Sequence, residues 1–445
     1  MNRLAFALAG ILFFAPAQAQ ISPPAPDPGL HLEDIERIAI ANNPTIPQAE
    51  ASLRMAEGLA RQAGLYPNPT VGYYGDEIRG GYLAGGQQGG YLSQTIVLGG
   101  KLGAARRVAS LRANQAATTI EMQRLRVLSN VRSLFYHALA AQRLVEVRQN
   151  LAHLAADAVA TTHQLGNVGQ ADQPDILQAE VEQQEAQMGV LVATEQFHAA
   201  WRALAAIAGK PDMPLTHLDG DIEAVPDLNY SDWLARTLHD SPEVKLARQE
   251  VQRAEASLTV ARKAPIPNLE LTGIVVQNFE PLEVPSARMT GVQAGAQVGV
   301  ELPLFNRNQG NITAAREDIE RARQDLSRLQ LQLQRDLAAR FDGYNSARVI
   351  VRQYKTGLMP RAEQAYKMYR ANYQNMAGAY PQVLISQRTL FQLEAGYVQA
   401  LDHAWQSALA IQAFGLMDGL AAPQSVPTGE ASGAPAASPP TVMAP

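Results

Sequence analysis

The stretch VQAGAQVGVELPLFNRNQGNITAAREDIERARQDLSRLQLQL, residues 292–333, changes its hydrophobic period part-way along. From Val292 to Leu302 apolar and polar residues alternate, which is typical of a β-strand with two different faces. Eleven such residues are enough to cross a bilayer as a tilted strand. From Ile312 to Leu333 the apolar residues recur at steps of three and four, the heptad pattern of a packed helix. The sequence therefore predicts a strand that leads into a long helix.

The chain contains this organisation twice. A shift of 198 positions places prolines and alanines in the same order, most clearly Pro44 on Pro242 and Pro67 on Pro265. Each half is predicted to contain a short helix, a second helix stopped by prolines, two strands, a long helix and a returning helix. We therefore expect a mainly α, internally duplicated protein with four strands per chain.

The other predicted strands are 70–78 and 91–98 in the first half and one that starts at Leu269 in the second. The polar segments 80–90 and 278–290 are predicted to be loops that connect the strands of each pair. A soluble hairpin packed on helices is the alternative to a membrane-spanning pair, because alternation alone does not identify what covers the apolar face.

The long helices set the dimensions of the molecule. Neither meets a proline for about fifty to sixty residues, or roughly 75–95 Å. Pro360 is expected to kink the second helix without ending it. Each helix ends at a glycine-containing turn, Gly166 to Gly169 in the first half and Gly378 in the second, and a returning helix follows. No single compact domain is that long.

The remaining segments are assigned from composition. Residues 1–19 have a basic start, an apolar stretch and a small-x-small site, which together are typical of an export signal. Residues 209–230 are predicted to connect two structural repeats, 20–208 and 231–420. Residues 421–445, rich in Ala, Pro and Ser, are expected to form a disordered tail. Export indicates the periplasm or the outer membrane, and composition does not choose between them.

Composition and motifs exclude several classes of function. The chain has no cysteine, so disulfides and thiolate metal sites are ruled out. Its net charge is −5 and it has no block of Lys or Arg, which argues against nucleic acid as a partner. Its eight histidines never occur at i, i+4, and no nucleophile, phosphate-loop or zinc-protease motif is present. We therefore expect no enzymatic activity, no cofactor and no resident metal ion.

Asp172 and Asp175 begin the first returning helix and have two interpretations. They can cap the helix and interact favourably with its dipole. They can also surround a pore mouth and attract cations if several copies are arranged around an axis. The residues alone leave both interpretations open.

The predicted strands require more than one chain if they span a membrane. Four strands cannot close a barrel, and lipid does not tolerate an open sheet edge. Three copies would supply twelve strands and a ring of helices, a size with room for a lumen.

From Leu32 to Leu416 the chain resembles the TolC family of trimeric outer-membrane efflux ducts. The motifs that carry this resemblance, besides the duplication, are IAIANNP (38–44), YPNP (66–69) and DILQAE (175–180). Two others, QTIVLGGK (94–101) and LPLFNRNQG (302–310), are most similar to the branch that serves cobalt-zinc-cadmium efflux.

The resemblance implies a homotrimer with a β-barrel in the outer membrane of a Gram-negative bacterium and an α-barrel in the periplasm, where most of the mass lies. It implies contact with outer-membrane lipid, with a periplasmic adaptor (membrane fusion protein) and with a proton-driven inner-membrane pump of the resistance-nodulation-division (RND) type. The hairpin tips of such ducts contact the adaptor and open like an iris, and the duct itself is passive. The matching tip residues are Gly166, Val168, Gly169, Gln170 and Gly378.

Two other functions are weighed against this one. A periplasmic adaptor also has a long helical hairpin, but it has one inside split β-rich domains, whereas this chain has two, each preceded by a strand pair. The same duct could instead export drugs or other organic compounds, or a protein secreted by a type I exporter. The cobalt-zinc-cadmium motifs favour divalent heavy-metal cations.

Overall fold

The computed structural model describes residues 29–78, 86–169, 172–279, 291–374 and 380–423. The predicted export signal and residues 424–445 of the predicted tail lie outside these residues. None of the helices in the described part of the chain is both long and apolar enough to span a bilayer.

The described elements follow the same order twice. The first half contains helices α1 (Leu32–Asn42) and α2 (Thr45–Gln62), strands β1 (Thr70–Asp76) and β2 (Gln87–Ile96), and helices α3 (Lys101–Asn167) and α4 (Gln173–Ile207). The second half contains α5 (Tyr230–Asp240), α6 (Pro242–Lys263), β3 (Leu269–Asn278), β4 (Gly291–Val300), α7 (Gln309–Gln353), a π-helical turn (Tyr354–Leu358), α8 (Met359–Gln374) and α9 (Tyr380–Gln412). The predicted mainly α fold with an internal duplication is confirmed.

The residues at the breaks explain where the helices begin. Pro44 precedes α2 and Pro242 opens α6, positions at which a missing N–H leaves no helical hydrogen bond unmade. Both long helices start after a residue in the left-handed conformation, Gly100 at φ +65° and Asn308 at φ +59°. Glycine and asparagine tolerate this conformation best. As predicted, the second long helix passes Pro360, with the π-helical turn directly before it.

The four strands form one antiparallel sheet in the order β1-β2-β3-β4. Several predicted strand ends were wrong: β1 ends at Asp76 rather than at 78, and β4 ends at Val300 rather than at Leu302. Strand β2 ends at Ile96 rather than at 98, and it begins at Gln87, inside the segment predicted as a loop. Residues 87–90 pair with β1 on one side and with β3 on the other. Ladder hydrogen bonds on both sides outweigh the low strand propensity of the two glycines there.

The long helices lie side by side in an open layer. Helix α3 packs against α4 on one side and α9 on the other, and α9 packs against α7 and α8. In the described residues, α4 at one edge does not pack extensively against α7 or α8 at the other edge. Helix α3 has 67 residues, longer than predicted, and is about 100 Å long.

The predicted heptad positions form contacts between helices, and on α7 Ile319 and Ala322 pack against Ala254 of α6. Ile319, Ala322 and Leu333 of α7 are buried, as the period predicts. Helix α4 buries an alanine every seven residues, at positions 179, 186, 193 and 200. Small side chains at heptad positions allow two helices to approach closely, so α4 lies tight against α3.

The segment between the two repeats, residues 208–229, crosses the layer, and we call it the belt. On α3, the side chain of Gln142 exchanges two hydrogen bonds with the main chain of Leu218, at 2.9 and 3.0 Å. On α9, the Trp405 indole N–H donates to the carbonyl of Ile222 at 2.7 Å. The belt therefore ties α3 and α9 at one level.

The belt is also tied to α7. The hydroxyl of Tyr344, which is fully buried, donates to the carbonyl of Pro226 at 2.7 Å and accepts from the N–H of Leu228 at 2.9 Å. Arg348, one turn further along α7, forms an ion pair with Asp227 at 2.6 Å. All of these partners lie in residues that connect the repeats, so the belt joins the second repeat to the first.

We predict that Tyr344→Phe destabilises the protein. The substitution leaves the half-buried carbonyl of Pro226 and the half-buried N–H of Leu228 without this partner, which costs on the order of 1 kcal/mol. Thermal unfolding of the purified protein in detergent measures this loss. Tyr230→Phe is the matched control, because the ring of Tyr230 packs on Phe341 in the same cluster and its hydroxyl has no hydrogen bond among the described residues. Equal melting temperatures for Tyr344→Phe and the wild type would contradict the prediction.

Candidate functional site

The first hairpin tip, between α3 and α4, is an exposed turn. The N–H groups of Val168 and Gly169 donate to the carbonyls of Leu165 and Gly166 at 3.2 and 3.1 Å and close the end of α3. Gly169 has φ +74°, which glycine adopts without strain. The Val168 side chain is 68% exposed. The first tip therefore has an apolar side chain on its exposed surface.

Asp172 and Asp175 form a reciprocal cap at the start of α4. The N–H of Asp175 donates to Asp172 Oδ1 at 3.3 Å, and the N–H of Asp172 donates to Asp175 Oδ2 at 3.4 Å. Both residues are exposed, and Pro174 lies between them in the first turn. The capping interpretation is therefore realised within one chain. Their remaining carboxylate oxygens face solvent, so the arrangement also leaves negative charge at the tip.

The second hairpin tip, between α8 and α9, is only partly described. Helix α8 ends at Gln374 and α9 begins at Tyr380. The predicted tip residue Gly378 lies between these two helices, outside the described residues. Gln170, a predicted residue of the first tip, is also outside the described residues.

Ion pairs connect the helices near the first tip. His163 on α3 lies 3.3 Å from Glu180 on α4, measured from Nε2 to Oε1. Further from the tip, Arg388 on α9 forms an ion pair with Glu185 on α4 at 3.4 Å. Both pairs are largely exposed, so each contributes little to stability. They link α4 to both α3 and α9 at this end of the layer.

Both outer edges of the helical layer carry exposed apolar side chains. On α4 these are Leu177, Val181, Met188, Leu191 and Val192. On α7 and α8 they are Leu331, Val349, Ile350 and Met368. Contiguous apolar surface at a helix edge indicates a missing protein partner.

The sheet is also open, and its two faces differ. Val71, Leu92, Val275 and Val298 are exposed on one face, and register places them on the same side. The opposite face is more polar, and on it Thr272 of β3 donates to Ser93 of β2 at 3.0 Å. In the described residues β1 and β4 each have a neighbouring strand on one side only. An apolar outer face, a polar inner face and two free edges are what one sector of a membrane barrel requires.

The described residues contain no group of three or more His, Asp or Glu side chains that could hold a metal ion. The titratable groups that do come together form ion pairs, some within one helix, such as Arg321 with Asp325, and others between helices, such as Arg253 with Asp318. The site is therefore a set of surfaces, namely two tips, two layer edges and two sheet edges.

Comparison with known proteins identifies the fold. The model of the outer membrane efflux protein family matches residues 37–210 and 233–414, once in each repeat. This chain belongs to the outer membrane efflux protein family. The efflux protein is 27% identical over 382 residues to the cobalt-zinc-cadmium resistance protein CzcC of Cupriavidus metallidurans, an alignment that covers 86% of this chain and 89% of CzcC.

Two solved structures have the same fold as the efflux protein. The outer membrane protein VceC of Vibrio cholerae superimposes with a TM-score of 0.67 at 18% identity, over 87% of this chain and 96% of VceC. CusC, described as forming a transmembrane channel, superimposes with a TM-score of 0.70 at 15% identity, over 90% of this chain and 96% of CusC. The predicted TolC-like architecture is thereby confirmed.

Sequence reasoning missed a polar network between α3 and α9. His137 Nδ1 lies 2.9 Å from Asp402 Oδ2. The Gln406 side chain donates to Asp402 at 3.2 Å and to the carbonyl of Ser133 at 2.9 Å. The only available signal was the spacing of polar residues at i, i+4 on each helix, which also occurs on solvated faces.

The hydrogen bond that His137 donates to the Asp402 carboxylate raises the pKa of His137 above its usual value, and burial opposes this only in part. A raised pKa in the folded state means that His137 stabilises the protein below about pH 6.5, and that this contribution is lost as the pH rises through the folded-state pKa. His137 is half exposed, so the effect is screened.

We therefore predict that His137→Gln lowers the melting temperature at pH 6 and has a much smaller effect at pH 8.5. Melting curves of both proteins across this range measure the difference. His403→Gln is the control, because His403 is exposed on α9, next to Asp402 in sequence, and has no carboxylate partner in the described residues. A difference between His137→Gln and wild type that does not change with pH would disprove the assignment.

Proposed function

We propose that the efflux protein is a passive homotrimeric duct for divalent heavy-metal cations, located in the outer membrane of a Gram-negative bacterium with most of its mass in the periplasm. In this proposal it works with a periplasmic adaptor and an inner-membrane RND pump, which supplies the energy. Similarity to a cobalt-zinc-cadmium resistance protein over most of both chains is the observation that carries the choice of cargo. The solved relatives support the fold alone.

The open edges support self-association. An unpaired strand edge exposes a row of N–H and C=O groups, and each costs several kcal/mol in hydrocarbon unless it is paired. Pairing β4 of one copy with β1 of the next satisfies both edges, and the same rotation brings the apolar edge of α4 towards α7 and α8 of a neighbour. Three copies give twelve strands, which is wide enough for a lumen.

The hairpin tips are the proposed contact with the adaptor. Gly166, Val168 and Gly169 shape the first tip, and Gln170 and Gly378 are assigned from the resemblance alone. The exposed Val168 supports this role, because this apolar side chain at the far end of a 67-residue helix is left largely uncovered by the described residues.

We predict that deleting the gene raises the cellular content of the metals that this system exports. Cobalt, zinc, cadmium, nickel and copper are measured by mass spectrometry in the parent, the deletion strain and the complemented strain, with a lipophilic dye as the control cargo. Selective accumulation of one or more divalent cations supports the proposal and names the cargo. Accumulation of dye without metal would retain the duct and reject the cargo.

The two aspartates at the first tip are proposed to form a ring that attracts cations at the pore mouth. Asp172→Asn with Asp175→Asn removes this charge while retaining residues that can cap a helix. We predict a lower cation-to-anion permeability ratio for the purified trimer in a planar bilayer. Asp212→Asn with Asp232→Asn removes the same charge away from the tip and is the control. An unchanged ratio would leave Asp172 and Asp175 as a helix cap only.

A further inference from the structure

A group of apolar side chains is exposed where the strands meet the helices. Leu302, Leu304 and Phe305 follow β4 and are 67, 63 and 91% exposed. Leu65 and Tyr66, which precede β1, are similarly exposed. With Leu98 and Ile266 at the other two corners, these seven residues make up what we call the collar. Phe305 is the most exposed of the large apolar side chains in the described residues. Such exposure indicates that something outside this chain covers the side chain.

Strand register places the collar at one end of the sheet. Ile96 pairs with Leu269, and Leu269 pairs with Val300, so these three residues share the end from which the helices depart. Beyond Val300 the alternation of β4 continues to Leu302. The collar is therefore continuous with the apolar face of the sheet, the face that meets lipid in the proposed duct.

Strand length places this end near the edge of the hydrocarbon. Strands β2, β3 and β4 have ten residues each, and nine to eleven tilted residues cross a bilayer. The apolar band of a membrane barrel is about 25 Å tall and is bordered by aromatic residues at the level of the lipid headgroups. Tyr66 and Phe305 have that position relative to the strands.

The charge around the collar complements lipid phosphate. The corner segments 64–69, 97–107, 260–268 and 301–309 contain six basic residues and one acidic residue, although the whole chain carries −5. The basic residues are Lys101, Arg106, Arg107, Arg262, Lys263 and Arg307. Arg262 and Arg307 are exposed and have no ion-pair partner among the described residues. Side chains of this kind extend towards headgroups while their stems cover apolar surface.

We propose that the collar lies in the periplasmic leaflet of the outer membrane, with Leu304 and Phe305 inserted below the headgroups and the basic residues on the lipid phosphates. The inference rests on the proposed membrane duct and identifies the residues that fix its depth in the bilayer. A second copy of the chain is the competing partner for the same surface.

Because the chain lacks cysteine, single cysteines can carry a nitroxide spin label without background. We compare Phe305→Cys, Val298→Cys on the apolar face of β4, and Leu215→Cys in the belt, whose side chain is half exposed. The proteins are reconstituted in vesicles of phosphatidylethanolamine and phosphatidylglycerol. Power saturation then reports collision with oxygen, which concentrates in lipid, and with a water-soluble nickel chelate.

We expect oxygen to relax the labels at Phe305 and Val298 more than the chelate does, with Phe305 nearer the membrane surface, and the reverse at Leu215. In Phe305→Cys, the additional changes Arg262→Gln, Lys263→Gln and Arg307→Gln are expected to shift the label towards the aqueous phase. A label depth that these changes do not alter would overturn the phosphate contact.

Three other results would overturn the proposal in distinguishable ways. If Val298 is in lipid and Phe305 is accessible to the chelate, the collar is wrong and the duct stands. If the label at Phe305 is immobilised and neither reagent reaches it, a neighbouring copy covers the collar. If the labels at Val298 and Phe305 are both accessible to the chelate, the proposed membrane duct itself fails.

Discussion

The rest of the structure depends on one constraint, the hydrogen bonding of strand edges. The four-stranded sheet satisfies its inner ladders, but β1 and β4 each have one side without a neighbour in the described residues. The helical layer is open in the same way, but its open edges carry apolar side chains. Helix α4 forms one edge, helices α7 and α8 form the other, and the two edges do not pack extensively on each other. The sheet and the helical layer therefore each lack a neighbour at both edges. In the proposed trimer, the rotation that relates one copy to the next supplies both neighbours. In the proposed duct, the lumen is the shape that this closure produces.

Periodicity made most of this fold predictable from the sequence. The alternation in 292–302 indicates a strand with one apolar and one polar face. The heptad spacing from Ile312 onwards indicates a long helix with one apolar side. Prolines at equivalent positions of both halves fixed the breaks, because proline acts locally on the backbone whatever its surroundings. The capping interpretation of Asp172 and Asp175 could be stated in advance for the same reason: it needs only residues three positions apart.

What could not be predicted is formed by contacts distant in sequence. The start of β2 at Gln87 depends on partners on two other strands, and its glycines carry no strand signal. The belt has no hydrophobic period, and its hydrogen bonds with Gln142, Trp405 and Tyr344 are made by main-chain groups, which donate to Gln142 and Tyr344 and accept from all three. Any sequence in that segment would offer similar carbonyls. The donor side chains, taken singly, look like ordinary polar or aromatic residues on packed helices.

The belt also limits where the tips can move. It ties α3, α9 and α7 at one level, and Lys355 in the π-helical turn forms an ion pair with Glu223 of the belt at 2.6 Å. Beyond that turn, α8 begins at Met359 with Pro360, which cannot donate a hydrogen bond to the preceding turn. A π-helical turn followed by proline is a frequent site of helix bending. On the α3 side no such interruption occurs before Asn167. If the tips open, as the resemblance implies, the physical asymmetry of the two hairpins assigns the larger movement to α8 and α9, with the belt as the fixed point.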